Sequence, residues 1–138
     1  MVNNNRFSIS VHILLLIAHY NVELTGDQMA ASVNTNPVVI RKITGLLKKA
    51  GILDVRAGIG GAYLLKRPEE INLLDIYRAV NEIDEKALYL FNVHQKPNAS
   101  CQIGRNIENV LKSELLEVQS VMEARLAEKT LADLITKF

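Results

Sequence analysis

The stretch VNTNPVVIRKITGLLKKAGI, Val33 to Ile52, decides the fold. Asn36 is a good helix cap, and Pro37 suits the first helical position, where a missing N–H costs nothing. Val39 or Ile40, Ile43, Leu46, Leu47 and Ala50 then recur at three- and four-residue spacing and form one apolar stripe. Gly51 is a C-terminal stop. The opposite face carries Val38, Arg41, Lys42, Gly45, Lys48 and Lys49. This spacing predicts an amphipathic helix over Pro37 to Lys49 that is basic on its open side.

Working upstream, Phe7, Val11, Leu14, Leu15 and Ala18 define one face of a helix over Arg6 to His19. Thr25 caps a short helix over about Gly26 to Ser32. A short helix, a tight turn and a second helix with a basic open face make a helix-turn-helix pattern. Downstream, ILDVRA and AYLLKR are short strand candidates flanking Gly58, Ile59, Gly60 and Gly61. A hairpin placed after a helix-turn-helix is a wing.

The glycines raise a second reading, because glycine beside Arg56, Lys66 and Arg67 suits phosphate. A dinucleotide fingerprint sets its glycines between a strand and a helix, so that the helix N-terminus meets the pyrophosphate. Here a strand follows, the spacing departs from G-x-G-x-x-G, and the G-K-[ST] of a P-loop is missing. The phosphate to expect is that of a nucleic-acid backbone, with glycine supplying positive φ at a hairpin tip.

Charge distribution agrees. The net charge is only +1, but Asn34 to Arg67 holds Arg41, Lys42, Lys48, Lys49, Arg56, Lys66 and Arg67 against the single acid Asp54. The 138 residues, 49% of them apolar, suggest one compact unit with an appendage. Aromatics are 5% and tryptophan is absent, so aliphatic side chains on helices must build the core. A single cysteine, Cys101, excludes an intrachain disulfide. The apolar run VHILLLIA is too short to span a membrane, and no small-residue cleavage site follows it. A cytoplasmic protein without a membrane partner is expected, in which the sequon Asn98-Ala99-Ser100 has no meaning.

Asn72 caps a further helix, LLDIYRAV, with Asp75 at the capping-box position. HQKPNASC, ending at Cys101, reads as a loop. From Gln102 a long helix carries Ile103, Ile107, Leu111, Leu115, Val118, Met122 and Leu126, with Val110, Leu116 and Val121 widening the stripe. A final short helix follows Thr130. So long an apolar stripe beyond a compact unit points to pairing with a second copy. Ile107, Leu111, Leu115, Val118 and Met122 are the expected dimer seam.

NTNPVVIRKITGLLKKAGILDVRAGIGGAYLLKRPEEINLLDIYRAV resembles the winged-helix half of the Rrf-two family of bacterial transcription regulators, and within it the YwnA-like branch. LLKKAGIL, the wing RAGIGGAYL and RPEEINLLDIYRAV carry the resemblance, in order, and it extends over nearly the whole chain. It implies a mainly α fold with a small β-hairpin. A winged helix-turn-helix would occupy residues 1–80, a linker 81–101, and a dimerisation helix with a C-terminal helix 102–138. It further implies a homodimeric, sequence-specific regulator, repressor or activator with repressor the favoured sign, binding a double-stranded DNA operator, with no catalytic constellation. Thr35, Asn36, Val38, Arg41 and Lys42 would face base edges or nearby phosphates, the plainer role for Arg41 and Lys42 being a solvated helix face. Lys48 would reach phosphate or, with Lys49, only complement the helix dipole. Arg56 would reach phosphate or a minor groove, and Gly60 and Gly61 would form the wing tip. The plainer role for Arg56 is a cross-strand surface ion pair. Iron–sulfur members carry three cysteines in the loop before the long helix; this chain matches one, Cys101, so no cofactor and no metal are expected. Two roles fit Cys101: a redox sensor, favoured by its place before a helix N-terminus, or an inert small residue. His12, His19 and His94 are read as packing or solvated groups. The rival to DNA binding is a winged helix used as a protein-interaction module, which would not need Arg41 and Lys42 on an open face.

Overall fold

The computed structural model describes residues 5–58, 60–84 and 86–138. Six α-helices and one two-stranded hairpin follow in the order α1 (Arg6–Tyr20), α2 (Gly26–Val33), α3 (Pro37–Lys49), β1 (Leu53–Val55), β2 (Ala62–Leu64), α4 (Leu73–Asn81), α5 (Gln102–Ala127) and α6 (Leu131–Ile135). The mainly α fold with a small hairpin is therefore as expected, and the boundaries of α3 coincide with those read from its cap and stop.

The short turn NTN makes the helix-turn-helix. Asn34 ends α2 in the left-handed region at φ 62°, which asparagine tolerates better than most residues. Asn36 begins α3, its Oδ1 accepting the Val39 N–H at 3.0 Å. Such a cap stabilises a helix by about 1 kcal/mol. Thr25 and Gln28 close a reciprocal capping box at the start of α2. Asn72 caps α4 by accepting the Asp75 N–H.

The core joins Ile13, Leu14 and Ile17 of α1, Met29 of α2, Ile40, Ile43 and Leu47 of α3, Leu53 and Ala62 of the hairpin, and Ile76 and Val80 of α4. Two expected stripes are shifted. In α3, Ala50 is exposed and Thr44 is buried in the stripe instead, its hydroxyl donating to the Arg41 carbonyl at 3.1 Å. In α1 the deepest residues are Ile9, Ser10, Ile13, Leu14 and Ile17, not the face through Phe7, Val11 and Leu15. The five buried residues lie within about 140° of arc, a single face rotated from the expected one. Helix α1 is apolar on both faces, Phe7, Val11 and Leu15 packing partly against the same cluster, so hydrophobic spacing alone does not select the buried side. Ser10 is tolerated there because its hydroxyl donates to the Phe7 carbonyl at 2.7 Å.

The chain returns to this core at its end. Asn72 and Thr130 form an isolated antiparallel bridge, Leu131 N–H donates to Ile71 O at 2.9 Å, and Leu131 is fully buried in the common cluster. The C-terminal end of α5 is thus tied down through α6, whereas no residue in its N-terminal half is fully buried. Leu131→Ala is expected to destabilise the whole winged helix by about 2–5 kcal/mol in urea unfolding. A change near zero would mean that α6 is not part of the cooperative core.

Candidate DNA-binding face

Helix α3 places its basic face on the surface. Val38 is 65% exposed, and Arg41, Lys42, Gly45, Lys48 and Lys49 are exposed beside it. Among the described residues, Arg41 and Lys42 have no ion-pair partner, although 15 acids are present in the chain. A Cβ at Gly45 would meet nothing within 4 Å, so this part of the face is open backbone. Two unpaired cations and an accessible helix surface fit a polyanion that supplies the missing countercharge.

The other expected contacts are placed differently. Thr35 is half-buried in the turn, its N–H donating to Ala30 O at 3.0 Å. Asn36 uses its Oδ1 as a cap, leaving the amide NH2 as its outward polar group. Lys48 lies 3.4 Å from Asp54 across the start of the hairpin. The Asp54 carboxyl is held below its ordinary range by the Val55 N–H and, secondarily, by Lys48. A surface pair of this kind is screened by solvent and can exchange its partner.

Arg56 is committed to Glu23 in the connection between α1 and α2. Its Nε donates to both carboxylate oxygens at 3.0 Å, and a guanidinium terminal nitrogen pairs with Oε1. The expected cross-strand pair is thereby corrected, since Glu23 lies outside the hairpin. Arg56 depresses the Glu23 pKa through this hydrogen bond, so the pair is formed at neutral pH and opens only on acidification. The guanidinium also sits 5.4 Å from the centroid of the Tyr63 ring. With the Leu24–Ala62 bridge, whose two N–H···O contacts are 3.2 and 2.7 Å, this ties the wing base to the body. Glu23 is a residue that local sequence reading had no means to find, since it is 33 positions from its partner.

The two wing glycines have different reasons to be glycine. Gly60 has φ 75° and Gly58 φ 81°, the left-handed region expected at a tip. Gly61 does not share it; there a Cβ would come within 3.0 Å of Glu23 Oε2 and 3.1 Å of Glu23 Cβ. Ile59, between them in the expected tip, lies outside the described residues. Gly60→Val is expected to strain the tip by about 1 kcal/mol or more, and Gly61→Val to displace Glu23 from Arg56. Both variants should lower DNA affinity with the oligomeric state unchanged by sedimentation. Wild-type affinity in the double variant would remove the wing from the binding face.

Helix α5 is 26 residues long and contains one buried residue, Gln119. Ile107, Leu111, Leu115 and Met122 of the expected seam are half-buried against their own chain. Val118 is 52% exposed, and it is joined by Ile103, Val110 and Val121 at 70%, 56% and 71%. At 3.6 residues per turn these four lie within about 80° of arc. The uncovered apolar face is therefore centred one side of the expected seam. Cys101 is the exposed N-cap residue of α5, without a side-chain capping bond.

A helix-turn-helix with an anchored wing and a basic face on its second helix, where Arg41 and Lys42 have no ion-pair partner among the described residues, defines a winged-helix DNA-binding transcription regulator. The pattern of the Rrf2 (Rrf-two) family, described as iron-dependent transcriptional regulators, matches residues 3–137, and the chain belongs to that family. It is 46% identical over 132 residues to YwnA of Bacillus subtilis (strain 168), described as an HTH-type transcriptional regulator, with 96% of each chain covered. A crystal structure described as that of a DNA-binding protein superposes with a TM-score of 0.76 at 42% identity, covering 94% of this chain and 98% of the other. The oxidised form of Staphylococcus aureus CymR shares the fold at 18% identity and a TM-score of 0.71, covering 98% and 96%. No helix among the described residues is long and apolar enough to cross a membrane.

The iron in the family description does not fit this donor set. Cluster irons are held mainly by cysteine thiolates, and this chain has one cysteine, exposed at a helix cap. Among the described residues, no group of three or more His, Cys, Asp or Glu side chains is placed to hold a metal ion.

Proposed function

We propose that the protein acts in the cytoplasm as a homodimeric repressor that reads a two-fold operator with helix α3 of each copy. The observation that carries this reading is the pair Arg41 and Lys42, exposed and without an ion-pair partner among the described residues, on the open face of the second helix of a helix-turn-helix. Residues 1–80 would supply the DNA-binding head and 102–138 the dimer contact, with 81–101 connecting them. Val38, Arg41 and Lys42 would meet the major groove. Thr35 and Asn36 would stand at the helix entrance, and Lys48, Arg56, Gly60 and Gly61 at flanking phosphates. A second copy would cover Ile103, Val110, Val118 and Val121, together with the accessible edges of Ile107, Leu111, Leu115 and Met122. Exposed apolar side chains clustered on one face of a long helix are a feature that a partner helix relieves.

The test is selection of bound fragments from genomic DNA by the purified protein. An inverted repeat with half-sites about one helical turn apart is expected. Recovery of fragments without a shared sequence, or none, would favour the interaction-module reading.

A further inference from the structure

Gln119 is a polar residue set where the α5 stripe calls for an apolar one: Leu115, Gln119, Met122 and Leu126 follow one another at helical spacing. It is 2% exposed. Its Oε1 accepts the Tyr89 N–H at 2.9 Å and the Leu90 N–H at 3.3 Å, and its Nε2 donates to Ala87 O at 2.9 Å. One side chain therefore holds the backbone of the segment between α4 and α5 on both donor and acceptor sides.

The same segment is held to the head on its other side. The Tyr89 ring lies 5.8 Å from Tyr77 of α4, and Tyr77 lies edge-on to Phe7 of α1 at 5.3 Å. Burial, with Glu123 nearby, pushes the Tyr89 hydroxyl up to about 12, so it stays neutral in this apolar contact. Arg78 of α4 pairs directly with Glu123 of α5, one turn beyond Gln119. Residues 87–90 thus form a wedge between head and long helix, and Gln119 fastens the helix to it.

We infer that Gln119 is a positioning residue: by latching residues 87–90 it fixes the angle between α5 and the winged helix, and through that angle the distance between the two heads of the dimer. The inference rests on the dimeric DNA-binding reading above. Its leverage comes from length. Gln102 lies about 25 Å along the axis from Gln119 at 1.5 Å per residue, so a tilt of about 10° at the latch moves the far end by about 4 Å. Half-sites that must match two recognition helices one DNA turn apart do not accept such a shift freely.

Gln119→Met keeps the length of the side chain and removes all three hydrogen bonds. Amide exchange at Tyr89 and Leu90, measured without DNA, is expected to accelerate by about tenfold or more. Anisotropy titrations would use the selected operator, versions with one base pair inserted or deleted between half-sites, and a single half-site. The variant should remain dimeric and bind the single half-site within about twofold of wild type, as its DNA-facing surface is unchanged. It should lose about tenfold or more on the operator, and its preference among spacings should flatten. Should Gln119→Met not fold, Gln119→Asn carries the test: it keeps a neutral amide but is one methylene too short to hold residues 87–90, and should show the same changes. Unchanged exchange, or a loss equal on half-site and operator, would overturn the latch. A wild-type protein that sediments as a monomer or selects no operator would instead overturn the reading on which it rests, and the exchange result would still decide whether Gln119 holds the wedge.

Discussion

Val118→Asp and Val121→Asp, made together, are expected to leave each chain folded and to convert the protein from dimers to monomers. Operator affinity should fall by about 10²–10⁴-fold, the avidity that disappears when two heads no longer bind as one body. The argument turns on where these side chains lie in the single chain. Both are more than half exposed there, and substitutions at such positions usually change monomer stability by less than about 0.5 kcal/mol. In a symmetric helix pair the same positions would each appear twice and lose water. An unpaired carboxylate in such a seam costs several kcal/mol unless the seam opens. Leu115→Asp is a poorer probe, because Leu115 is half-buried against its own chain and the change would weaken fold and seam together. Sedimentation at micromolar concentration reads the oligomeric state, and circular dichroism reads the fold. Wild-type protein that runs as a monomer, or a double variant that remains a dimer, would refute the seam.

The short helices were legible in the sequence because their ends carry local chemistry. Thr25, Asn36, Asn72 and Thr130 all cap helices, each accepting a backbone N–H three residues on, and caps depend on neighbours in the chain. The wing was legible from its glycines, though only Gly60 of the named pair has positive φ; the demand at Gly61 comes from Glu23, a contact across the fold. Burial in α1 was misread for the same reason. The helix is apolar on two adjoining faces, so only its neighbours in the fold select the one through Ile9, Ile13 and Ile17, and Ser10 hides in it by bonding its own backbone. The basic face of α3 was legible as composition, but its division into paired and unpaired cations was not. On α3 Lys48 finds Asp54, as Arg56 of the wing finds Glu23, whereas Arg41 and Lys42 find no acid among the described residues. Gln119 left a visible sign, a polar residue inside an apolar stripe. Its partners at 87–90 lie about 30 residues away in a segment without periodicity, so only the fold brings them together.

That division of cations gives the sharpest expectation for the face itself. Arg41 stands in the second turn of α3, near the end that enters a groove, and its guanidinium is not held by any acid among the described residues. If it reads a guanine, its two donors meet O6 and N7, and Arg41→Ala costs about 1–3 kcal/mol at each half-site. In a two-fold complex the cost is counted twice, about 2–6 kcal/mol, or roughly 30- to 10⁴-fold in operator affinity. Preference should relax at one position in each half-site, and scrambled DNA should be bound nearly as before. Lys48 is the internal contrast. It lies in the last turn of α3, and a phosphate must displace Asp54 at 3.4 Å to engage it. Lys48→Ala should weaken operator and scrambled DNA alike and lower the salt slope by about two, near 0.9 for each phosphate that each copy no longer neutralises. Titrations of both variants on both DNAs across a range of salt separate base reading from charge attraction. Equal weakening on operator and scrambled DNA for Arg41→Ala would make Arg41 a phosphate ligand. Readout would then pass to Lys42 and Val38, because Thr35 is half-buried and Asn36 spends its oxygen on the helix cap.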